Sequence, residues 1–305
     1  MIRLHDRATV GPRAHILLTN DDGYTGEGLR VLRIGLIRAG FRVTVVAPAS
    51  DMSGIGRALT FRVPVVVRQH DEERHHGYRE ENRVFSCVGT PVDCVRVALL
   101  SDMIDPIDLV VSGINHGVNL GDDVTSSGTV GAALEGVLLG VPAVAVSQQD
   151  DAGDVSMLSH GAHHFLLTYI AVQACQLVSL RPPPPRMAIS INLPHGVKNP
   201  VVKKARISSF SYARSWTPSE ALDTNLWSVW AFAKPGAAGP SVDTSAGTDY
   251  AALKDNSVSV SVLRADWDAL SQTPSGTRKW LDNFVRELGA AVSGGAAGPS
   301  RQRNP

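Results

Sequence analysis

The sequence contains few cysteines, and this scarcity excludes two kinds of site. The three cysteines, Cys87, Cys94 and Cys175, are odd in number, lack a C-x-x-C spacing and stand in apolar stretches. Cysteines in such positions usually serve as small core residues. We therefore expect neither a disulfide framework nor a structural zinc site.

The chain also lacks a long apolar segment and an excess of charge of either sign. No apolar run approaches the ~20 residues that span a bilayer, and the first fourteen residues lack the apolar centre of a secretory signal. Lys plus Arg and Asp plus Glu both number 29, so no global field recruits nucleic acid or a membrane surface. We expect a cytoplasmic protein that binds phosphate only locally, without a stable nucleic-acid complex and without a membrane.

The sequence does contain a regular alternation of apolar strands and amphipathic helices. Buried strands are predicted at 15–19, 41–47, 107–112, 141–147 and 187–192, with helices at 28–39, 129–140 and 158–180. This alternation predicts an α/β fold, a three-layer, doubly wound, mostly parallel (Rossmann-like) sheet with a smaller β-rich C-terminal appendage.

The rhythm of strands and helices stops after Pro194, and this change sets the predicted domain organisation. The predicted parts are an N-terminal extension at 1–13, an α/β catalytic core at 14–194, a β-rich appendage at 195–268, a helix packing on the core at 269–292 and a disordered tail at 293–305. The charged segment 69–82 is predicted to be a solvated excursion because its composition cannot bury a face.

An acidic pair follows the first predicted strand. Ligands of an open parallel sheet bind outside the carboxyl ends of its strands. The loops 20–28, 48–56 and 113–128, which follow predicted strands, are therefore the candidate ligand-binding loops. The adjacent carboxylates Asp21 and Asp22 repel one another, and a divalent cation would offset the cost of holding them together. An isolated Asp-Asp-Gly also fits a simple turn, so the motif alone is weak.

Neutral oxygen donors in the other two loops strengthen the hypothesis of a metal site. Ser53 could complete an oxygen-rich shell together with an asparagine, either Asn115 or Asn119. Such hard donors suit Mg²⁺, Mn²⁺ or Ca²⁺ rather than Zn²⁺. Asp122 and Asp123 form a rival acidic pair, and spacing alone does not choose between the two pairs.

The segment Ser127-Gly128-Thr129 leads directly into a predicted helix. The N–H groups of a helix N-terminus, with a glycine beside them, form a ready site for phosphate, although an ordinary helix cap fits the same residues. A side chain at Gly128 is expected to crowd the phosphate and to spare the metal ligands. Gly131→Ala, one turn further on, is expected to be harmless on helix propensity.

Histidines supply few further candidates. His116 is a candidate acid for the leaving alkoxide, although a histidine in a loop is more often a bystander. The helical cluster His160, His163 and His164 is predicted to lie on the surface, because no carboxylate is placed to orient it.

Four segments together resemble the SurE-type 5′/3′-nucleotidases, the stationary-phase survival phosphatases. They cover residues 16–23, 45–48 with 53–54, 88–95, and 111–123 with 127–136, and weaker echoes follow at 190–194 and 247–249. The resemblance implies a metal-dependent phosphatase that hydrolyses nucleoside 5′- and 3′-monophosphates, and also short polyphosphate. It further implies a homodimer or homotetramer whose contacts come from the appendage.

The same resemblance assigns roles to individual residues. It implies one divalent ion, Mg²⁺ or Mn²⁺, in a site that Ca²⁺ can occupy, and metal ligands Asp21, Asp22, Ser53 and Asn115. Asp21, Asp22 and Asn115 are also the implied catalytic residues, and the implied substrate and phosphate contacts are Asn119, Ser127, Gly128 and Thr129. The residues leave open whether water attacks directly or Asp21 first forms an aspartyl-phosphate.

The chain departs from the family pattern beside the acidic pair. Thr25-Gly26-Glu27-Gly28 replaces the usual Ala-Pro-Gly segment and adds a carboxylate near the metal, and Val118 replaces a proline. These departures affect the expected substrate preference more than the expected chemistry.

Two alternative functions fit the same sheet less well. A phospho-receiver signalling module needs an Asp after its third strand and a downstream Lys, whereas Lys198 is the first lysine here. A dinucleotide-binding oxidoreductase needs Gly-x-Gly-x-x-Gly in its first turn, which is Asn-Asp-Asp-Gly in this chain. The missing lysines also argue against a P-loop kinase.

Overall fold

The computed structural model describes residues 14–70, 82–149, 160–209, 217–223, 226–230 and 243–265, with 279, 282–283 and 285–286 of the last segment. Two compact units make up the chain, Met1–Ala265 and Asp266–Pro305. The predicted extension 1–13, most of the charged segment 69–82 and the tail 293–305 lie outside the described residues. The described part of 269–292 is helical, and its packing on the core stays a prediction.

A nine-stranded sheet forms the centre of the first unit. Its strands are β1 (His15–Thr19), β2 (Arg42–Pro48), β3 (Val66–Gln69), β4 (Val84–Val88), β5 (Leu109–His116), β6 (Ala143–Gln148), β7 (Met187–Leu193), β8 (Val202–Lys204) and β11 (Val258–Arg264). They are ordered β3-β4-β2-β1-β5-β6-β7-β11-β8. The six strands from β4 to β7 in this order are mutually parallel, whereas β3 and β11 run antiparallel to their neighbours β4 and β7.

Helices cover both faces of the sheet. They are α1 (Glu27–Arg38), α2 (Pro91–Leu100), α3 (Gly128–Leu138), α4 (His160–Leu180) and α5 (Asp249–Lys254). Alternate residues of β1 enter two separate cores, because Ile16 and Leu18 pack with α1 and α4 while Leu17 packs with α2 and α3. The predicted three-layer, doubly wound α/β fold is confirmed. Among the described helices, none is long and apolar enough to cross a bilayer.

The predicted β-rich appendage at 195–268 requires correction. The strands β8 and β11 belong to the main sheet, and among the described strands only β9 (Thr217–Asp223) and β10 (Leu226–Trp230) form a separate antiparallel pair. Because β11 returns antiparallel to β7 and β8 is short, the described strands of this region do not follow the regular β-α alternation of the core. A continuation of the sheet therefore resembled a separate domain in the sequence.

Candidate active site

The predicted loops converge at the carboxyl edge of the sheet. The strands β1, β2 and β5, which precede the three loops, are direct neighbours in the order β2-β1-β5. Parallel strands end at the same edge, so the residues that follow them come together there. The backbone connects two of the loops, since the N–H of Met52 donates to the carbonyl oxygen of Asp21 at 2.8 Å.

Asp21 lies beneath this edge and contacts the start of α3. Its side chain is only 3% exposed and accepts a hydrogen bond from the hydroxyl of the fully buried Thr129. The same hydroxyl lies 3.4 Å from Oδ1 of Asn115. Three of the predicted site residues from distant parts of the sequence, Asp21, Asn115 and Thr129, are thus gathered in one cluster.

The surroundings of Asp21 favour either a proton or a cation on its carboxylate. Burial raises the pKa of the Asp21 carboxyl above its ordinary value, hydrogen bonds from the side chain and backbone of Thr129 lower it, and the negative charge of Asp51 raises it. Thr129 therefore acts on Asp21 through its hydroxyl, and its backbone also lowers the pKa of this carboxyl. We assign Thr129 to holding this carboxylate rather than to the phosphate.

Asp22 and Ser53 face a cleft of about 550 Å³ beside this cluster. Glu27, Asp51, His116 and His164 also line it. Glu27 departs from the family pattern and was expected to add a carboxylate near the metal. It does line this cleft. Three carboxylates on one cleft favour cationic groups there, because like charges in a confined space repel one another.

Asp51 is a site residue that the sequence analysis missed. Its Oδ1 accepts hydrogen bonds from the backbone N–H of Ser53 at 2.8 Å and from the Ser53 hydroxyl at 2.6 Å. This geometry orients the Ser53 oxygen, because the hydroxyl proton points at Asp51 and the lone pairs stay available to a cation. An acidic residue two positions before a serine is a recognisable turn signal that could have identified it.

Gly128 is the first residue of α3 and packs directly on Asp21. The preceding Ser127 caps the helix, its hydroxyl accepting from the N–H of Val130 at 3.1 Å. A Cβ atom at position 128 would lie 2.8 Å from both Cβ and Oδ2 of Asp21. The expectation that a side chain at 128 spares the metal ligands is therefore wrong, because Asp21 is one of the proposed ligands.

Gly131 is also closely packed, contrary to expectation. A Cβ atom there would lie 2.8 Å from the carbonyl oxygen of Gly56 and 3.2 Å from Cα of Arg57. Both are backbone atoms of the loop that carries Ser53, so Gly131→Ala requires that loop to move. Helix propensity alone gave the opposite expectation, because it ignores what faces the helix.

The rival acidic pair does not line the cleft. Asp122 and Asp123 lie in a 3₁₀ helix, Gly121–Thr125, and neither belongs to the lining that Asp22 and Ser53 share. Asn119 is 8% exposed and is also outside that lining, although its side chain reaches Ser147 on β6.

His164 lines the cleft, which corrects the prediction that its cluster lies on the surface. It is 4% exposed, and its Nδ1 lies 3.0 Å from Oε1 of Gln148. The sequence carried a signal for this burial, because His164 shares the helical stripe of the fully buried Leu167, Ala171 and Cys175. The side chains of His160 and His163 lie outside the described residues.

The donor set fits a divalent cation. Within the described ranges, no three His, Cys, Asp or Glu side chains form a group that could hold a metal. The proposed set draws instead on two carboxylates, Asp21 and Asp22, with the neutral oxygens of Ser53 and Asn115, all of them hard donors. The buried Oδ1 of the adjacent Asn20 has no hydrogen-bond partner among the described residues, so a further oxygen acceptor lies beside the carboxylates.

Fold and site together define a doubly wound α/β protein with an oxygen-donor cleft at the carboxyl edge of its sheet. The family model described as "Survival protein SurE" matches residues 16–217. This match covers more than half of the chain, and the chain therefore belongs to the SurE family.

Individual relatives agree with this assignment. The chain is 35% identical over 254 residues to a 5′-nucleotidase SurE of Xanthomonas campestris pv. campestris (strain B100), which covers 82% of this chain and 90% of that relative. It is 43% identical over 188 residues to one of Solidesulfovibrio magneticus, covering 62% and 67%. The crystal structure of a SurE protein from Aquifex aeolicus matches with a TM-score of 0.61 and 29% identity, over 88% of this chain and 99% of that one.

Proposed function

We propose that this protein is a metal-dependent phosphatase that hydrolyses nucleoside 5′- and 3′-monophosphates to a nucleoside and inorganic phosphate. The contact between Asp21 and the start of α3, with Asp22 and Ser53 on the adjoining cleft, is the observation that supports it most directly. It joins a site for a cation to a helix N-terminus that favours an anion. The relatives named 5′-nucleotidase SurE support the same activity.

Asp21, Asp22, Ser53 and Asn115 are the residues that we assign to one Mg²⁺ or Mn²⁺ ion, and Ca²⁺ suits the same oxygens. A divalent ion bound there would neutralise the charge on the phosphoryl oxygens. Thr129 keeps the Asp21 carboxylate oriented, and Asp51 does the same for the hydroxyl of Ser53. Such preorganised neighbours reduce the rearrangement that the site needs before reaction.

The remaining groups of the site act on the substrate. We assign the N–H of Gly128, at the positive end of α3, to a phosphoryl oxygen, with Ser127 capping the same helix end. His116 is exposed on the cleft, where it can donate a proton to the leaving alkoxide of the nucleoside. Asn119 is assigned to the phosphate as well. A homodimer or homotetramer and a cytoplasmic location stay predictions from the sequence.

Phosphate release from 5′-AMP, 3′-AMP and short polyphosphate tests the proposal. We expect exhaustive chelation to abolish turnover, and Mg²⁺ or Mn²⁺ to restore it better than Zn²⁺, because all four assigned ligands are hard oxygens. A generic aryl phosphate should be hydrolysed too, which neither a receiver module nor an oxidoreductase would do. Full activity of protein shown to contain no metal would overturn the metal-dependent mechanism.

A further inference from the structure

Asn119, the residue assigned to the phosphate, is held by a residue of a different strand. Asn192 of β7 is 1% exposed, and its Oδ1 accepts a hydrogen bond from the backbone N–H of Asn119 at 2.8 Å. Its Nδ2 donates to the carbonyl oxygen of Asn119 at 3.2 Å. One side chain therefore satisfies both backbone groups of Asn119, although the two residues are 73 positions apart.

The side chain of Asn119 is held from a second direction. Its Nδ2 donates to the hydroxyl of Ser147 at 2.8 Å. Ser147 is 1% exposed on β6 and lies in register with Asn115 of β5. Ser147 thereby connects the carboxamide of Asn119 to the strand position paired with the proposed metal ligand Asn115. A carboxamide has one oxygen acceptor and two amide hydrogens, so the bond to Ser147 uses only part of the binding capacity of Asn119.

Asp249 holds the next part of the same loop. It is fully buried at the start of α5, and its Oδ2 accepts the backbone N–H of Gly121 at 2.9 Å, while Oδ1 accepts that of Ser208 at 2.9 Å. Gly121 begins the 3₁₀ helix that leads to the Ser127 cap of α3. Asp249 therefore fixes the loop between Asn119 and the helix N-terminus.

We propose that Asn192 is a positioning residue that, together with Ser147, sets the geometry of Asn119 in the phosphate-binding loop (residues 117–127), which Asp249 also holds at Gly121. The inference rests on the proposed function, since it takes Asn119 to bind the phosphoryl group. A buried network in which every polar group has a hydrogen-bond partner specifies one conformation. Apolar side chains, in contrast, can shift against one another without losing a directional contact. Asn192 at the end of β7 and Asp249 at the start of α5 both bind the backbone of this loop. These two elements therefore support the phosphate-binding residues.

Truncation of the supporting residues tests this role. We expect Asn192→Ala and Ser147→Ala to lower kcat/KM for a nucleoside monophosphate by roughly 10- to 100-fold, because a misplacement of about 1 Å has an effect of that order. Inhibition by inorganic phosphate should weaken in parallel. The rise in Tm on adding Mn²⁺ should persist, because no assigned metal ligand is changed.

Asn82→Ala is the matched control. Asn82 is 4% exposed, and its Oδ1 accepts the backbone N–H of Val43 at 2.8 Å. It precedes β4 and so lies toward the opposite edge of the sheet from the site. This variant removes the same group from an equally buried position, and it should lower the free energy of unfolding with kcat/KM unchanged.

A double variant separates positioning from a general loss of stability. If Asn192 acts through Asn119, Asn192→Ala should reduce kcat/KM by less than about threefold when Asn119 is already alanine. Equal losses in both backgrounds, or normal kcat/KM and phosphate inhibition in both Asn192→Ala and Ser147→Ala, would overturn the positioning role alone. Absence of nucleotide hydrolysis by the unaltered protein would overturn the proposed function instead. Ser147→Ala removes only one hydroxyl, so it keeps the test decisive if Asn192→Ala fails to fold.

Discussion

Asp21 shows how one buried carboxylate can link a metal site to a phosphate site. Its carboxylate accepts a hydrogen bond from the hydroxyl of Thr129, and its Cβ packs against Gly128. The neighbouring Asp22 lines the cleft. The negative charge of Asp51 opposes ionisation of Asp21. Because a bound cation would offset both burial and repulsion, binding of metal and stability of the fold should be coupled at this residue.

The choice between the two acidic pairs can be tested directly. We expect Asp22→Asn to abolish the rise in Tm caused by Mn²⁺ and to abolish phosphatase activity, since it removes one of only two assigned carboxylate ligands. Asp123→Asn should retain both properties, because Asp123 does not line the cleft. Metal content after gel filtration, with thermal melts, measures the difference. Equal loss of metal in the two variants would show that both pairs contribute.

The close packing of Gly128 predicts a defect in metal binding. Gly128→Ala places a methyl group 2.8 Å from Asp21 Oδ2, so we expect weaker Mn²⁺ binding together with a kcat/KM reduced by about 10²-fold, as for loss of one oxyanion donor. Calorimetric titration with Mn²⁺ and nucleotide kinetics measure the two effects. Ser126→Ala, at an exposed position two residues earlier, is the control and should leave both unchanged. Unaltered Mn²⁺ affinity in Gly128→Ala would mean that Asp21 is not a ligand.

Single residues also show what the sequence could and could not predict. Asp21, Asp22 and Ser53 carry hard oxygen donors and follow predicted strands. The local sequence was therefore enough to predict a site for a divalent cation. The tight fit of Gly131 against Gly56 did not, because it depends on two segments that are distant in sequence. Asn192 and Asp249 were visible only as echoes of a family motif, since nothing local reveals which backbone group a buried side chain will accept.

At the scale of elements, α3 is connected to the loop that carries Ser53. Glu135 of α3 is 2% exposed and forms ion pairs with Arg57 of that loop and, at 2.8 Å, with Arg96 of α2. The side chains of Arg57 and Arg96 are 36% and 40% exposed, so each pair adds only modestly to stability. Their difference lies in position, because only Arg57 is attached to the loop with Ser53.

This arrangement makes Arg57 and Arg96 a matched pair for mutation. Arg57→Ala should raise the Mn²⁺ concentration needed for half-maximal activity by roughly 10-fold, within the range known for residues that orient metal ligands. Arg57→Ala and Arg96→Ala should lower Tm by similar amounts. Arg96→Ala should leave the Mn²⁺ concentration for half-maximal activity unchanged. Titration of activity with Mn²⁺ measures the effect. A similar shift in both variants would attribute it to α3 rather than to the loop.

The strand β1 begins with a buried histidine that predicts a pH dependence of stability. Nδ1 of His15 lies 2.9 Å from the carbonyl oxygen of Pro106, and Nε2 lies 2.8 Å from the hydroxyl of Thr44. Burial lowers the pKa of His15 below its ordinary value of 6.5, so the unfolded chain binds the proton more tightly. The stability that depends on neutral His15 is fully present above pH 6.5 and is lost as pH falls through the lowered pKa.

His15→Gln should therefore flatten the loss of stability on acidification. Denaturant unfolding above and below pH 6.5 measures the free energy of unfolding, and the decrease should be smaller in the variant than in the unaltered protein. His15 is the first residue of β1, so kcat at neutral pH should stay the same. An identical decrease in both proteins would assign the acid sensitivity to other groups.

The boundaries of β1, α1, β2 and α3 followed from the sequence because their signals are local, whereas β4 was not predicted as a strand, and no described helix separates β2, β3 and β4 from one another. The helix α2 begins at Pro91 with a capping box formed by Thr90 and Asp93, signals that are wholly local. β8 and β11 were assigned to a separate domain, since the pairing of β11 with β7 spans more than 60 residues and leaves no periodic trace in the sequence between them. Non-local pairing is the part of a fold that periodicity does not encode.

At the scale of the whole molecule, the C-terminal part of the first unit has two distinct roles to test. The strand β11 and helix α5 support the sheet and the phosphate-binding loop. The hairpin of β9 and β10 forms a sheet of its own. A two-stranded sheet alone is marginally stable in water and gains stability by packing on a further surface.

We expect this hairpin to form contacts between copies of the chain. The sequence of β10 is Leu-Trp-Ser-Val-Trp, and aromatic residues are enriched in protein interfaces. Replacing residues 217–230 with a short Gly-Ser linker should lower the molar mass of the assembly, measured by light scattering after gel filtration. The kcat/KM of this variant should stay within about threefold of that of the unaltered protein. The assigned site residues lie on other elements, and the effects of distant changes are usually independent. Deletion of 293–305 is the control, because a composition rich in Gly, Pro and Ser predicts little buried surface, and the deletion should change neither mass nor Tm. An unchanged mass after removal of the hairpin would place the contacts between subunits elsewhere on the molecule.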